Sequence, residues 1–383
     1  MSIVALSIDA MLPALPDIGR ELNVINTNDN QLMITMIFLG LGFGQLIFGP
    51  LSDSFGRKPI AYIGFALFFI ASFICLTTKN FEIMILGRIL QGLGLASPRT
   101  MAIAMVRDKY SGDYMAKIMS IVVMVFILVP VIAPTLGQQL LYYFDWRSIF
   151  YANFIYGGII MIWLWRRQEE TLSTEHKIPF SGMLFFNGTK EFFRHKNAVA
   201  FTVVSGFMTG SFMVWLSTSQ QIFEQQYDLK AEFPYIFACL ALSVGLATYI
   251  NSRLVLKYGM WRIALLGTIS YAIISALYVI LFNSGQNPGI VVVLIFFALQ
   301  FFSIGLLFGN LRALAMQPLG HIAGIGAAIN GFISTVMAVP IANYIGSFVN
   351  TSVLPLFIGF SIFGVLSLLT FIWLRMYQKK VLL

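Results

Sequence analysis

Of the sixteen acidic residues in this 383-residue chain, Asp9 is the one that falls deep inside a long apolar run. A lone carboxyl group in such surroundings can load and release a proton, and an ionisable residue at that depth reads as functional by default. A carboxylate bonded permanently to neighbouring amides is the structural alternative. Arg88 lies about six residues into another apolar run, where a guanidinium faces a cavity or an acidic partner, or else snorkels back to the headgroups. At 1.5 Å per helical residue, Asp9 falls about 12 Å below Asp17 and Arg88 about 9 Å below Glu82, so contact between the two is expected. Asp9 and Arg88 are therefore the candidate proton-coupling residues.

Gln91 follows Arg88 by three positions and shares its helix face. Gln45, Asn153, Gln220 and Asn330 are further polar residues inside apolar runs and candidates for substrate binding; Gln221, Gln300 and Asn310 belong to the same class. Each also suits an interhelical hydrogen bond. Arg99 lies in the inner half of its run, with Asp53 as a candidate partner.

The elements that hold these residues are legible from hydropathy. Spanning a bilayer takes about 20 apolar residues. Runs that meet this test cover roughly 31–51, 59–78, 82–105, 116–141, 148–165, 198–222, 232–252, 262–282, 289–311, 323–348 and 354–374. A shorter run at about 1–19 precedes them, so twelve spans are expected, in two sets of six: residues 1–165 and 198–383, joined by a polar segment 166–197. Within that segment Phe, Met and Leu cluster among polar residues from Phe180 to Phe193, which suits a helix on the membrane surface. The halves suggest a duplicated six-helix unit of the kind found in secondary transporters. The loop near Gly56 has a weak counterpart in Asn251-Ser252-Arg253-Leu254-Val255-Leu256-Lys257-Tyr258-Gly259-Met260-Trp261-Arg262, which has a glycine and a basic end but no acidic residue.

Composition excludes other classes. Fifty-eight per cent of the residues are hydrophobic and 10% charged, against about a quarter charged in soluble proteins, so lipid is the main solvent. The net charge of +8 comes from single or small groups of basic residues between apolar runs, not from one polar face, which argues against nucleic acid. With both termini cytoplasmic, cytoplasmic segments hold about 18 of the 24 Lys and Arg and the opposite side about four, the positive-inside pattern. Cys75 and Cys239 cannot build a disulfide framework or metal cluster, and His176, His195 and His321 show no ligand spacing. Paired carboxylates or a histidine cluster, which a membrane enzyme would need, are not found. The N-terminus lacks the marks of a cleaved signal peptide.

Three stretches bring in a family. Gly49-Pro50-Leu51-Ser52-Asp53-Ser54-Phe55-Gly56-Arg57-Lys58 resembles the loop motif G-x-L-x-D-x-x-G-R-K of the major facilitator superfamily. Arg88-Ile89-Leu90-Gln91-Gly92 is similar to that family's R-x-x-Q-G signature, and its small residues would let neighbouring helices approach closely. Ser7-Ile8-Asp9-Ala10-Met11-Leu12-Pro13-Ala14-Leu15-Pro16 resembles the drug-resistance branch named for bicyclomycin resistance, the Bcr/CflA group, as do Met105 to Asp108, Trp146 to Phe150 and His321 to Gly324. The glycine-rich motif of span 5 in the family's exporters is retained only at Pro134 and Gly137.

The resemblance implies an all-α major facilitator fold and a proton-driven exporter of small lipophilic drugs or metabolites, working by alternating access, with the proton gradient and no cofactor as its drive. A proton-coupled importer is the second reading; a membrane enzyme or receptor is remote. A monomer in the inner membrane is expected, its partners being lipid and a small-molecule substrate. Gly49, Asp53, Gly56, Arg57, Lys58, Asp108 and His321 are expected to form a conformational latch, with Asp53 meeting the start of span 11 near His321 and Gly324, and Arg57 pairing with Asp108. Only eight residues precede Asp9, so the reading frame is expected to extend upstream by roughly 10–20 apolar residues.

Overall fold

The structure, a computed structural model, describes the chain except residues 111, 174, 176, 178–181 and 382–383, and describes 112–117, 119–121, 123–127, 184, 320, 321, 323 and 379–381 as backbone only. Among the described residues every regular element is helical. Eleven segments among them are long and apolar enough to cross a membrane. The run expected at 116–141 lies in a further helix, Gly112–Tyr143.

The chain divides into two compact units, Met1–Phe186 and Asn187–Leu383. The first holds α1 (Ser2–Asp9), α2 (Leu15–Glu21), α3 (Leu32–Phe55), α4 (Arg57–Thr77), α5 (Phe81–Lys109), α6 (Gly112–Tyr143) and α7 (Arg147–Arg167). α8 (Gly182–Arg194) carries the boundary. The second unit continues with α9 (Lys196–Gln220), α10 (Phe233–Tyr258), α11 (Met260–Leu281), α12 (Ile290–Met316), α13 (Ala323–Gly346) and α14 (Leu354–Val381).

The first span is not one helix. Pro13 has no N–H to give the Asp9 carbonyl, and its ring crowds that carbonyl, so the helix stops at Asp9. A 3₁₀ turn over Leu12–Ala14 leads into α2, which has Pro16 in its first turn. Span 7 also departs from its expected end: after α9 the chain makes a π-helical turn over Gln221–Gln226 before leaving the span.

α5 is the central strut of the first unit. A side chain on Gly92 would sit 1.9 Å from the Ile37 carbonyl oxygen, and one on Gly94 2.6 Å from the Phe68 backbone nitrogen. α3 and α4 therefore press against opposite sides of α5 at backbone distance, as the run of small residues in the sequence required.

Both units contain the same abrupt turn. α3 passes into α4 through the single residue Gly56 at φ +105°, and α10 into α11 through the single residue Gly259 at φ +80°. These backbone forms are closed to residues with a Cβ. The weak sequence correspondence between the two loops thus has a conformational counterpart.

Candidate functional site

The break after Asp9 decides what Arg88 does. In an unbroken helix the Met11 N–H would bond to the Ser7 carbonyl; here it bonds to Ile8 O at 3.4 Å instead. The Ser7 carbonyl is left without a helical partner in a buried position. Arg88 supplies one: Nη1 and Nη2 both donate to Ser7 O at 3.2 Å. Its Nε donates to Met33 O at 2.7 Å and Nη1 to Gln91 Oε1 at 2.5 Å. Gln91 Nε2 then donates to Ser72 Oγ at 2.9 Å. One guanidinium, fully buried, so ties α1, α3, α4 and α5 together. Snorkelling is ruled out for Arg88 by that burial.

The expected contact between Arg88 and Asp9 is not made. Among the described residues no hydrogen bond or ion pair joins them, because the guanidinium caps the broken end of α1 through its backbone. Asp9 is buried, at 4% exposure, with no hydrogen bond or ion pair to any described residue. Two residues earlier in α1, the Ser7 hydroxyl is also buried and unpartnered among the described residues. A side chain on Gly137 of α6 would lie 1.9 Å from the Ala10 carbonyl oxygen, so α6 packs directly on the break. Pro134 and Gly137, the retained residues of the exporter motif, thus belong to the helix that packs on the backbone break after Asp9.

The other substrate-binding candidates are divided between the units. In the first, Gln91 has both ends of its amide engaged. Gln45 is half-buried and Asn153 buried, and neither makes a side-chain hydrogen bond among the described residues. In the second, Gln220 Nε2 donates to Glu224 Oε2 at 2.6 Å within the π-helical turn. Asn330 Nδ2 donates to Thr202 Oγ1 at 2.7 Å, joining α13 to α9. Gln300 Nε2 reaches Tyr271 O at 3.3 Å and Asn310 Nδ2 reaches Asn251 Oδ1 at 2.7 Å. Interhelical bonding absorbs Asn330 and Asn310, whereas the buried Gln300 Oε1 has no hydrogen-bond partner among the described residues.

At the end of α3 and start of α4 the loop residues form a charge cluster. The buried Arg57 guanidinium lies between two carboxylates, with Nε 2.8 Å from Asp108 and Nη1 2.5 Å from Asp53. Nη1 also donates to Ser52 Oγ at 2.7 Å, and Arg107 approaches Asp53 at 4.0 Å. Asp53 is thus engaged by Arg57 and Arg107. The His321 side chain lies outside the described residues.

Sequence reasoning missed Glu170. Gly56, as the residue before α4, has no side chain to cap it, and Glu170 does so from the segment after α7. Its two oxygens accept from the Arg57 and Lys58 backbone N–H groups at 3.0 Å each, and one of them also from Thr171 N and Leu172 N at 2.9 and 3.0 Å. Partial desolvation raises the Glu170 pKa, but these four N–H donors outweigh it and hold the group below its usual value. The Lys58 ammonium reaches Trp165 O at 3.5 Å, and Gly49 faces open space. A second clasp joins the opposite end of span 1 to α7. There Arg147 Nη2 lies 2.6 Å from Glu21 Oε1, and Trp146 Nε1 donates to Glu21 Oε2 at 2.6 Å.

Comparison with known proteins agrees with this layout. The pattern of the Major Facilitator Superfamily matches residues 1–342. "Uncharacterized MFS-type transporter YdgK" of Bacillus subtilis is 26% identical over 89% of this chain and 85% of its own. The "Bicyclomycin resistance protein homolog" of Haemophilus influenzae is 28% identical over 67% of this chain and 66% of its own. "Multidrug resistance protein MdtL" of Shigella flexneri is 34% identical, over 42% of this chain and 41% of its own. The match thus spans under half the length of that last relative. In fold, the xylose transporter XylE from E. coli superposes with a TM-score of 0.72 at 14% identity, covering 97% of this chain and 94% of its own. Multiple apolar spans, the Arg88 strut, the Gly56 turn and these relatives lead to one statement: the chain is a multi-pass membrane transporter that belongs to the Major Facilitator Superfamily, with relatives in the bicyclomycin- and multidrug-resistance group.

Proposed function

We propose that this transporter exports small lipophilic drugs or metabolites in exchange for protons. The observation that carries the reading is Asp9: a buried carboxyl group free of any fixed partner among the described residues, on a helix broken beside it. A carboxylate locked in an ion pair would be held ionised; one without a partner can exchange a proton as its surroundings open and close. Arg88 supplies the permanent positive charge of that region and keeps the break in shape. The resistance proteins among the relatives support export as the direction and bicyclomycin-like compounds as substrates, to which the resemblance to the Bcr/CflA group adds chloramphenicol- and sulfonamide-like ones. The bias of Lys and Arg supports an inner-membrane setting with both termini cytoplasmic.

The test uses inverted membrane vesicles from a host lacking its own pumps. With a pH gradient established, adding a substrate such as chloramphenicol should release protons through the wild type and not through Asp9→Asn, whose amide keeps the size but cannot release a proton. Gradient-driven efflux at wild-type rate in a correctly inserted Asp9→Asn protein would overturn the reading. Solute accumulation in the direction of proton entry would establish import instead.

A further inference from the structure

An open apolar groove of about 300 Å³ lies between α9 and α14, lined by Val203, Phe207, Leu366, Leu369, Thr370 and Trp373. Three of these side chains are well exposed: Leu366 at 38%, Leu369 at 54% and Trp373 at 46%. The Thr370 hydroxyl already donates to Leu366 O at 2.8 Å, so its hydrogen does not call for a polar guest. In a helix pair that crosses a membrane, hydrocarbon is the natural filling of such a groove.

One end of the groove is not neutral. Trp373 stacks on Tyr377, with ring centroids 6.0 Å apart and planes at 18°. The Lys196 ammonium sits over the Tyr377 ring, 3.9 Å from its centroid. Lys196 is exposed and is the first residue of α9, whose N-terminus has no side-chain cap. A continuous path thus runs from an apolar trough, over two aromatic rings of the type that sit at membrane interfaces, to an exposed cation beside uncapped backbone N–H groups. Apolar tail, interfacial ring and anionic head are the three parts of one ligand class.

The geometry points to a specific site for an anionic phospholipid, with an acyl chain in the α9–α14 groove and the phosphate group at Lys196. A zwitterionic lipid would fill the trough equally well but gains less from Lys196. Each surface cation favours an anionic lipid by roughly a factor of five. The transport reading is not needed for this inference.

Native mass spectrometry of the full-length protein, released from nanodiscs of equal palmitoyl-oleoyl phosphatidylglycerol and phosphatidylcholine, tests it. The wild type should retain the anionic lipid in preference. Lys196→Gln should lower that preference about fivefold while leaving phosphatidylcholine retention in place. Leu369→Trp, a lipid-facing change that fills the trough, should reduce retention of both. Equal retention of the two lipids by the wild type would overturn the site. So would a preference that Lys196→Gln leaves unchanged, or retention that Leu369→Trp leaves unchanged. The readout needs neither substrate nor pH gradient, so its failure is distinct from a failure of proton-coupled export.

Discussion

Arg88 is a fixed cation whose neighbours are mostly backbone carbonyls, and this sets what its replacement would do. Arg88→Ala leaves Ser7 O unpartnered in the buried interior, at a cost on the order of 1–3 kcal/mol, and removes the second donor of Met33 O, which keeps its helical bond within α3. The expected outcome is a protein with a clearly lowered melting temperature in detergent and no transport. Arg88→Lys keeps the charge but cannot reach both carbonyls with one planar fork, so partial stability and partial activity are expected. Wild-type stability of Arg88→Ala would show that the carbonyls find other donors. Both charges were legible in the sequence, because an Asp or Arg in an apolar run stands out by type alone. The contact between them was misjudged, because the actual acceptor is a backbone carbonyl. That acceptor follows from tracing hydrogen bonds past Pro13, where the Met11 N–H shifts from Ser7 O to Ile8 O. Glu170 escaped for the same reason: all its partners are backbone N–H groups, the two that join it to α4 lie more than a hundred residues away, and none carries a side-chain signature.

At the scale of elements, the two single-glycine turns make a paired experiment. Gly56 and Gly259 share a positive φ, so Gly→Ala strains the backbone at both, by about 1–3 kcal/mol. They differ in surroundings: a Cβ at Gly56 would lie 2.8 Å from Glu170 Oε2, whereas one at Gly259 meets nothing within 4 Å. Gly56→Ala should therefore lower the melting temperature more than Gly259→Ala, and the additional loss should shrink in a Glu170→Ala background. Equal losses in both backgrounds would mean that the Glu170 cap adjusts freely. The cap itself depends on pH. Its folded pKa is depressed, so its stabilisation is fully present above the unfolded value, about 4.3, and is lost as pH falls through the folded value. Glu170→Gln should be less stable than the wild type near neutrality, by about 1 kcal/mol as for other helix caps, and the difference should close on acidification. Melting temperatures measured from pH 7 to pH 3 check this. The G-x-x-x-x-x-x-G spacing of the loop marked the turn in the sequence; only the structure says that the next segment of chain holds it shut.

At the scale of the molecule, ionisable groups are unevenly shared. No acidic residue occurs from 233 to the end of the chain. Among the described residues Asp9 is the one buried acid. Under the proposed exchange, a single carboxyl group would fix the electrical character of the cycle. If one proton enters for each solute that leaves, a neutral solute moves one net charge per turnover. The membrane voltage then drives export, by about 2.3 kcal/mol for each 100 mV, or roughly a 40-fold solute gradient. A solute with one positive charge moves no net charge, and only the pH difference drives it. In sealed vesicles, collapsing the voltage with valinomycin and potassium should slow the export of a neutral compound and leave that of a monocation unchanged, while nigericin should stop the monocation. A dication would leave against its own charge imbalance and be opposed by the voltage in the cell. In the proposed exchanger, the position of one carboxyl group at a broken helix would sort solutes by valence before any binding pocket had acted on their shape.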